Sequence, residues 1–184
     1  MNSILHYNEI VQIEKMNLQK GMNFRCNPNY SILLMSTRDG APFEDEIAAD
    51  GRVLIYEGHN VYKQYTDSDP YNVDQPRKTP KGSLTDNGKF ERAALDFKEN
   101  KSEAEIVRVY EKIKDGIWSF NGIFKLVDAY EKKLNNRTVF KFILLLTDEE
   151  IEELKEKIEI KEHARLIPSK VKAEVWKRDK GRCV

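Results

Sequence analysis

Short β-branched and aromatic runs, each closed by turn chemistry, constrain this chain more than any other feature. Tyr30–Met35 reads YSILLM, 53–55 reads VLI, 105–112 reads EIVRVYEK and 138–146 reads TVFKFILLL. Runs of this length and composition suit strands. Between them lie Asn27-Pro28-Asn29, Asp50-Gly51 and Asn135-Asn136, which turn the chain, and Asn121-Gly122, which signals a hairpin or a bulge inside WSFNGIF (118–124). A further strand is expected over 125–132. Five or more such strands bury their apolar faces best in a curled sheet or barrel. Helical signal is sparse. The segment 4–18 fits a short helix or a strand followed by a helix, and 89–98 (KFERAALDFK) places Phe90, Ala93, Ala94 and Phe97 on one helical face.

At 184 residues the chain is long enough for one domain with a real core and a remnant. Its 31 basic and 31 acidic residues cancel, so no bulk charge announces nucleic acid, although a local basic stripe suffices for that purpose. Cys26 and Cys183 make no disulfide framework, which points to a reducing cytoplasm. No apolar run reaches membrane-spanning length, and the first 20 residues lack the basic-then-apolar order of a signal peptide, so no membrane partner is expected.

The stretch 43–59, FEDEIAADGRVLIYEGH, concentrates the chemistry. Phe43 and Tyr56 offer two aromatic faces, and Asp45 and Glu46 offer carboxylates between them. Such a set can hold a flat ring with a polar edge: stacking on the faces, and an acceptor aimed at an amino group. The competing reading is an acidic surface loop before a core strand. Beyond it, 60–88 is irregular and carries Arg77, Lys78 and Lys81 among prolines and glycines. A loop of this length is either a solvated linker or a functional segment, and cations on irregular backbone can track a sugar-phosphate chain.

The blocks YSILLM, FEDEIAADGRVLIYEGH, DQPRKTPKGSLTDNGKFERAAL, EIVRVYEK, GIWSFNGIFKLVDAYEKK and VFKFILLL occur in an order that resembles the SRA/YDG family, over roughly 23–146. These are PUA-like domains that read modified cytosine in DNA. The resemblance implies an α+β chain built on a PUA-like twisted β-barrel with flanking helices, binding double-stranded DNA by flipping a modified cytosine into a pocket. Tyr56 then matches the family's second stacking tyrosine, and Phe43 falls at the first stacking aromatic. Asp45 or Glu46 matches the carboxylate that accepts from the cytosine N4 amino group, a donor that thymine lacks. Ala41-Pro42 stands where the family has a glycine pair. Asp74-Gln75 and Asn87 match framework residues, and Arg77, Lys78 and Lys81 are assigned to the DNA backbone.

After Leu146 the character changes. The segment 148–163 (DEEIEELKEKIEIKEH) reads as a solvated linker helix. The basic tail RLIPSKVKAEVWKRDKGRCV resembles the opening of an HNH nuclease domain that leads into a first zinc-type cysteine, Cys183. The expected division is therefore an SRA-like domain over 1–146, a linker helix over 147–164 and the truncated start of an HNH domain over 165–184. The chain itself carries no catalytic residues, needs no cofactor and should not cleave DNA. Divalent metal and structural zinc would belong to the missing HNH part. The leading expectation is a sensor from a modification-dependent endonuclease. The alternatives are an enzyme in its own right, or a PUA-like RNA-binding or protein-interaction domain without base flipping.

Overall fold

The computed structural model describes residues 4–18, 20–48, 51–147, 167 and 169–179. The linker helix expected over 148–163 and Cys183 lie outside these residues. Among the described residues the strands are β1 (Ile4–His6), β2 (Met22–Asn27), β3 (Tyr30–Met35), β4 (Glu46–Ile47), β5 (Val53–Glu57), β6 (Glu105–Lys114), β7 (Ile117–Leu134) and β8 (Arg137–Thr147). The helices are α1 (Tyr7–Glu14), α2 (Asp86–Lys98) and α3 (Ser169–Asp179). The fold is α+β.

All eight strands join one sheet in the order β2-β3-β6-β7-β8-β5-β4, with β1 added to β7. Every pairing is antiparallel except β3 with β6, where Ser31 to Met35 run alongside Val107 to Glu111. A parallel neighbour cannot be reached by a tight turn, so the chain between these strands must cross over. That crossover contains the 36–45 loop, β5 and α2. The sheet curls strongly. Strand β5 is separated from β3 by β6, β7 and β8 in the ladder, yet the Tyr56 hydroxyl donates to the Leu34 carbonyl oxygen at 3.4 Å. No pairing among the described residues closes the ladder, so the expected barrel is an open, rolled sheet.

The roll encloses a core of Met22, Leu33, Leu54, Tyr56, Val107, Phe124, Leu126, Phe142 and Leu144, and α2 seals it with Phe90 and Ala94. Helix α2 starts three residues earlier than its apolar face suggests, because Thr85 caps it by accepting from the Gly88 N–H. The Asn121-Gly122 signal is a bulge rather than a hairpin: β7 runs unbroken through it for 18 residues. The register against β6 shifts between Val109 and Tyr110, and Gly122 adopts φ +113°. The strand expected over 125–132 is the second half of β7. A second core, containing Ile10, Leu18, Tyr30, Ile32, Tyr110 and Phe120, holds α1 on the outer face. There Glu14 is buried and pairs with Arg108 at 3.1 Å, while the hydroxyls of Tyr30 and Tyr110 donate to the same carboxylate. Three donors thus meet one buried carboxylate, and one of them, Arg108, is the buried opposite charge that pairs it.

Helix α3 is anchored to the sheet at that bulge. Lys172 is buried, 2.9 Å from Glu111 Oε2, and donates to Asn121 Oδ1 at 2.6 Å. The bulged asparagine thus turns inward to complete an ion pair between β6 and a helix from the 165–184 segment. Among the described residues no helix is long and apolar enough to cross a membrane.

Candidate functional site

A cavity of about 490 Å³ opens beside the 36–45 loop. That is a size typical of small-molecule sites. Its wall includes Phe43 and Asp45, the end of β3, Gly21, and the aromatic pair Tyr7 and Trp118. The two rings of that pair lie 6.4 Å apart, tilted by 46°.

The loop that presents Phe43 is tied down on both sides. At its start Thr37 Oγ1 donates to Glu111 at 3.0 Å. At its end the Glu44 N–H donates to Glu57 Oε2 at 3.0 Å. Asp45 then bridges two strands: its oxygens accept the Ser36 N–H and the Glu57 N–H, each at 3.0 Å, linking the exit of β3 to the end of β5. Burial pushes the Asp45 carboxyl up to about 7, against the pull of those two N–H donors and of Lys141. A carboxyl poised near neutrality on a cavity wall is a common property of functional groups.

Glu57 is the residue that the sequence reading missed. It is 1% exposed and accepts from Gln75 Nε2, Arg137 Nη2 and Lys141 Nζ as well as from the Glu44 N–H. Its partner Lys141 stands directly opposite on β8, so the pair is fixed by strand register. The available signal was a carboxylate at the end of an apolar run facing a lysine inside another, which becomes visible only once β5 and β8 are aligned. Gln75 and Asn87 are framework residues as expected. Gln75 bonds both Gly58 O and the Phe140 N–H, and Asn87 bonds both the N–H and the carbonyl of His59. Asp74 accepts the Thr138 N–H. These bonds convert the long 60–88 loop into an ordered cover over the β5–β8 edge, with short 3-10 turns at Lys63–Tyr65 and Pro70–Asn72.

The structure separates the expected site residues. Phe43 and Asp45 share the cavity wall. Glu46 begins β4, exposed and off that wall, so of the two acids only Asp45 lines the cavity. Tyr56 is not a second open face. It alternates inward with Leu54 on β5, is 4% exposed, and packs in the core. Its hydroxyl reaches the wall from behind: a Cβ built on Gly21 would stand 2.7 Å from it. The aromatic beside Phe43 is instead Tyr71, half exposed, with ring centroids 6.4 Å apart. Arg77 is half exposed but already carries acidic partners. It forms bonds to Glu91 at 2.5 and 2.7 Å and to Glu131 at 2.7 Å, and it lies over the Phe140 ring. Lys78 and Lys81 are exposed on the same loop.

No protein-family model matches the sequence, and no characterised protein matches it by sequence. Solved structures do match it in three dimensions. The SRA domain of SUVH5 in complex with hemimethylated CG DNA is 17% identical, with a TM-score of 0.56, over 83% of this chain and 91% of that one. This is the SRA fold. The same domain bound to fully hydroxymethylated CG DNA is 15% identical, with a TM-score of 0.54 and coverage of 83% and 91%. The DNA recognition domain of the cytosine modification-dependent restriction endonuclease LpnPI is 13% identical, with a TM-score of 0.53, over 80% of this chain and 73% of that one. The SRA-like roll places the 36–45 loop, the end of β3 and the β6–β7 hairpin around the cavity.

Proposed function

We propose that this chain recognises modified cytosine in double-stranded DNA by taking the extruded base into the Phe43–Asp45 cavity. The observation that carries the reading is the presence of an aromatic and a half-buried carboxylate on one wall, within an SRA fold. Solved neighbours with that fold were bound to methylated and hydroxymethylated DNA. Phe43 supplies the stacking surface. Asp45, already holding two backbone N–H groups, retains lone pairs for a third donor, and the N4 amino group of cytosine is such a donor. Tyr56 acts from behind the wall by supporting Gly21 and Leu34. Flipping costs a few kcal/mol, which stacking and edge contacts must offset.

The basic 165–184 segment supports a second level of the proposal: the chain is the cytoplasmic sensor of a modification-dependent HNH endonuclease. Catalytic metal and zinc would then belong to the nuclease and not to this chain. Helix α3, pinned through Lys172, links that segment to the reading sheet.

Binding to matched duplexes with and without one 5-methylcytosine or 5-hydroxymethylcytosine tests the reading. Tighter binding to a modified duplex, lost in Phe43→Ala at unchanged melting temperature, is the expected result. Equal affinity for all duplexes overturns it.

A further inference from the structure

Three cations line the cavity besides the residues considered so far: Lys20, Arg38 and Lys112. Two of them are held by one carboxylate. Asp115, in the turn between β6 and β7, places Oδ1 2.8 Å from Lys112 Nζ and 3.7 Å from Arg38 Nη1. The Asp115 side chain is 88% exposed, so an ion pair there contributes little to stability. What it does instead is put an anionic oxygen between an ammonium and a guanidinium, where a phosphate oxygen would also be stabilised. The third cation, Lys20, comes from the segment before β2 and holds its ammonium 5.6 Å from the centre of the Tyr62 ring.

A nucleotide cannot enter this cavity alone. Its sugar carries a phosphate on each side, and those phosphates must come to rest at the mouth. We propose that Arg38 and Lys112, with Lys20, form the clamp for the phosphates flanking the extruded nucleotide, and that Asp115 occupies this clamp until DNA displaces it. The inference rests on the base-flipping reading and assigns the backbone contacts of the flipped state to the cavity rim. Lys78 and Lys81 sit off the cavity wall, so they can meet phosphates of any duplex. The clamp engages only when a base leaves the stack.

The test uses the whole 184-residue chain and fluorescence anisotropy on a duplex with one 5-methylcytosine, beside its unmodified counterpart, across a range of salt. The side chains of Arg38 and Lys112 are 35% and 31% exposed, so R38Q/K112Q should fold, and melting confirms it. This variant should lose about tenfold or more on the modified duplex, change little on the unmodified one, and lower the salt slope on the modified duplex by about 1–2. D115N should bind the modified duplex several-fold more tightly. K78Q/K81Q should weaken both duplexes equally. If R38Q/K112Q weakens both duplexes equally, or D115N fails to tighten binding, while the parent prefers modified DNA, the clamp is wrong and the base reading survives. A parent with no preference overturns both.

Discussion

Asp45→Asn is the substitution whose effect the structure specifies most fully. The carboxylate holds two backbone N–H groups, one on each oxygen. An amide has a single acceptor oxygen, so one of these N–H groups would face an NH₂ group. Leaving a buried donor unsatisfied costs about 1–3 kcal/mol. A second effect opposes this and depends on pH. Burial raises the folded carboxyl from 3.8 to about 7, so between those values the native state holds a proton that the unfolded chain has released. Stability therefore falls as pH rises from about 4 and levels off above about 7. At 1.36 kcal/mol per pH unit the gap corresponds to about 4 kcal/mol, reduced to about 2 because the residue is partly reached by solvent. The amide has no such slope. Urea unfolding at pH 5 and pH 8 should therefore show Asp45→Asn clearly destabilised at pH 5 and nearly level with the parent at pH 8. Parallel pH profiles for the two proteins would refute the claim that burial governs this carboxyl.

Other expectations follow from the packing. Gly88→Ala should cost about 1–3 kcal/mol, because its Cβ would stand 2.3 Å from the Arg77 carbonyl oxygen at the start of α2, and thermal melting measures it. Gly21→Ala should be destabilising through the Tyr56 hydroxyl, and adding Tyr56→Phe should recover part of the loss; additive costs would show that the two do not touch. Lys172→Met should release α3, because Glu111 would keep its buried charge without that ammonium, and Trp176 emission should shift red; Glu111→Gln added to it should restore part of the stability.

The sequence made the strands legible because apolar alternation and turn residues are local properties. YSILLM and TVFKFILLL are strands for reasons contained in a few residues. What it could not convey is which strands meet. The parallel β3–β6 pairing, the roll that brings Tyr56 to Leu34, and the Glu57–Lys141 pair all join residues far apart in the chain. The candidate site divides the same way. Composition alone left the 43–46 stretch readable as an acidic surface loop; the family resemblance singled out Phe43 and one of Asp45 or Glu46, and Phe43 and Asp45 share one cavity wall. Tyr56 was read as a second stacking face, but strand alternation turns it inward with Leu54. The acidic partners of Arg77, Glu91 and Glu131, lie 14 and 54 residues away and so were not legible from its own loop.

The central claim is that a modified cytosine leaves the duplex and enters the cavity. A 2-aminopurine placed beside the modified cytosine reports this directly, since its fluorescence rises when its neighbour unstacks. Titration with the 184-residue chain should raise emission on the modified duplex, leave the unmodified duplex dark, and lose the rise in Phe43→Ala. Tight, modification-dependent binding with no change in 2-aminopurine emission would contradict it.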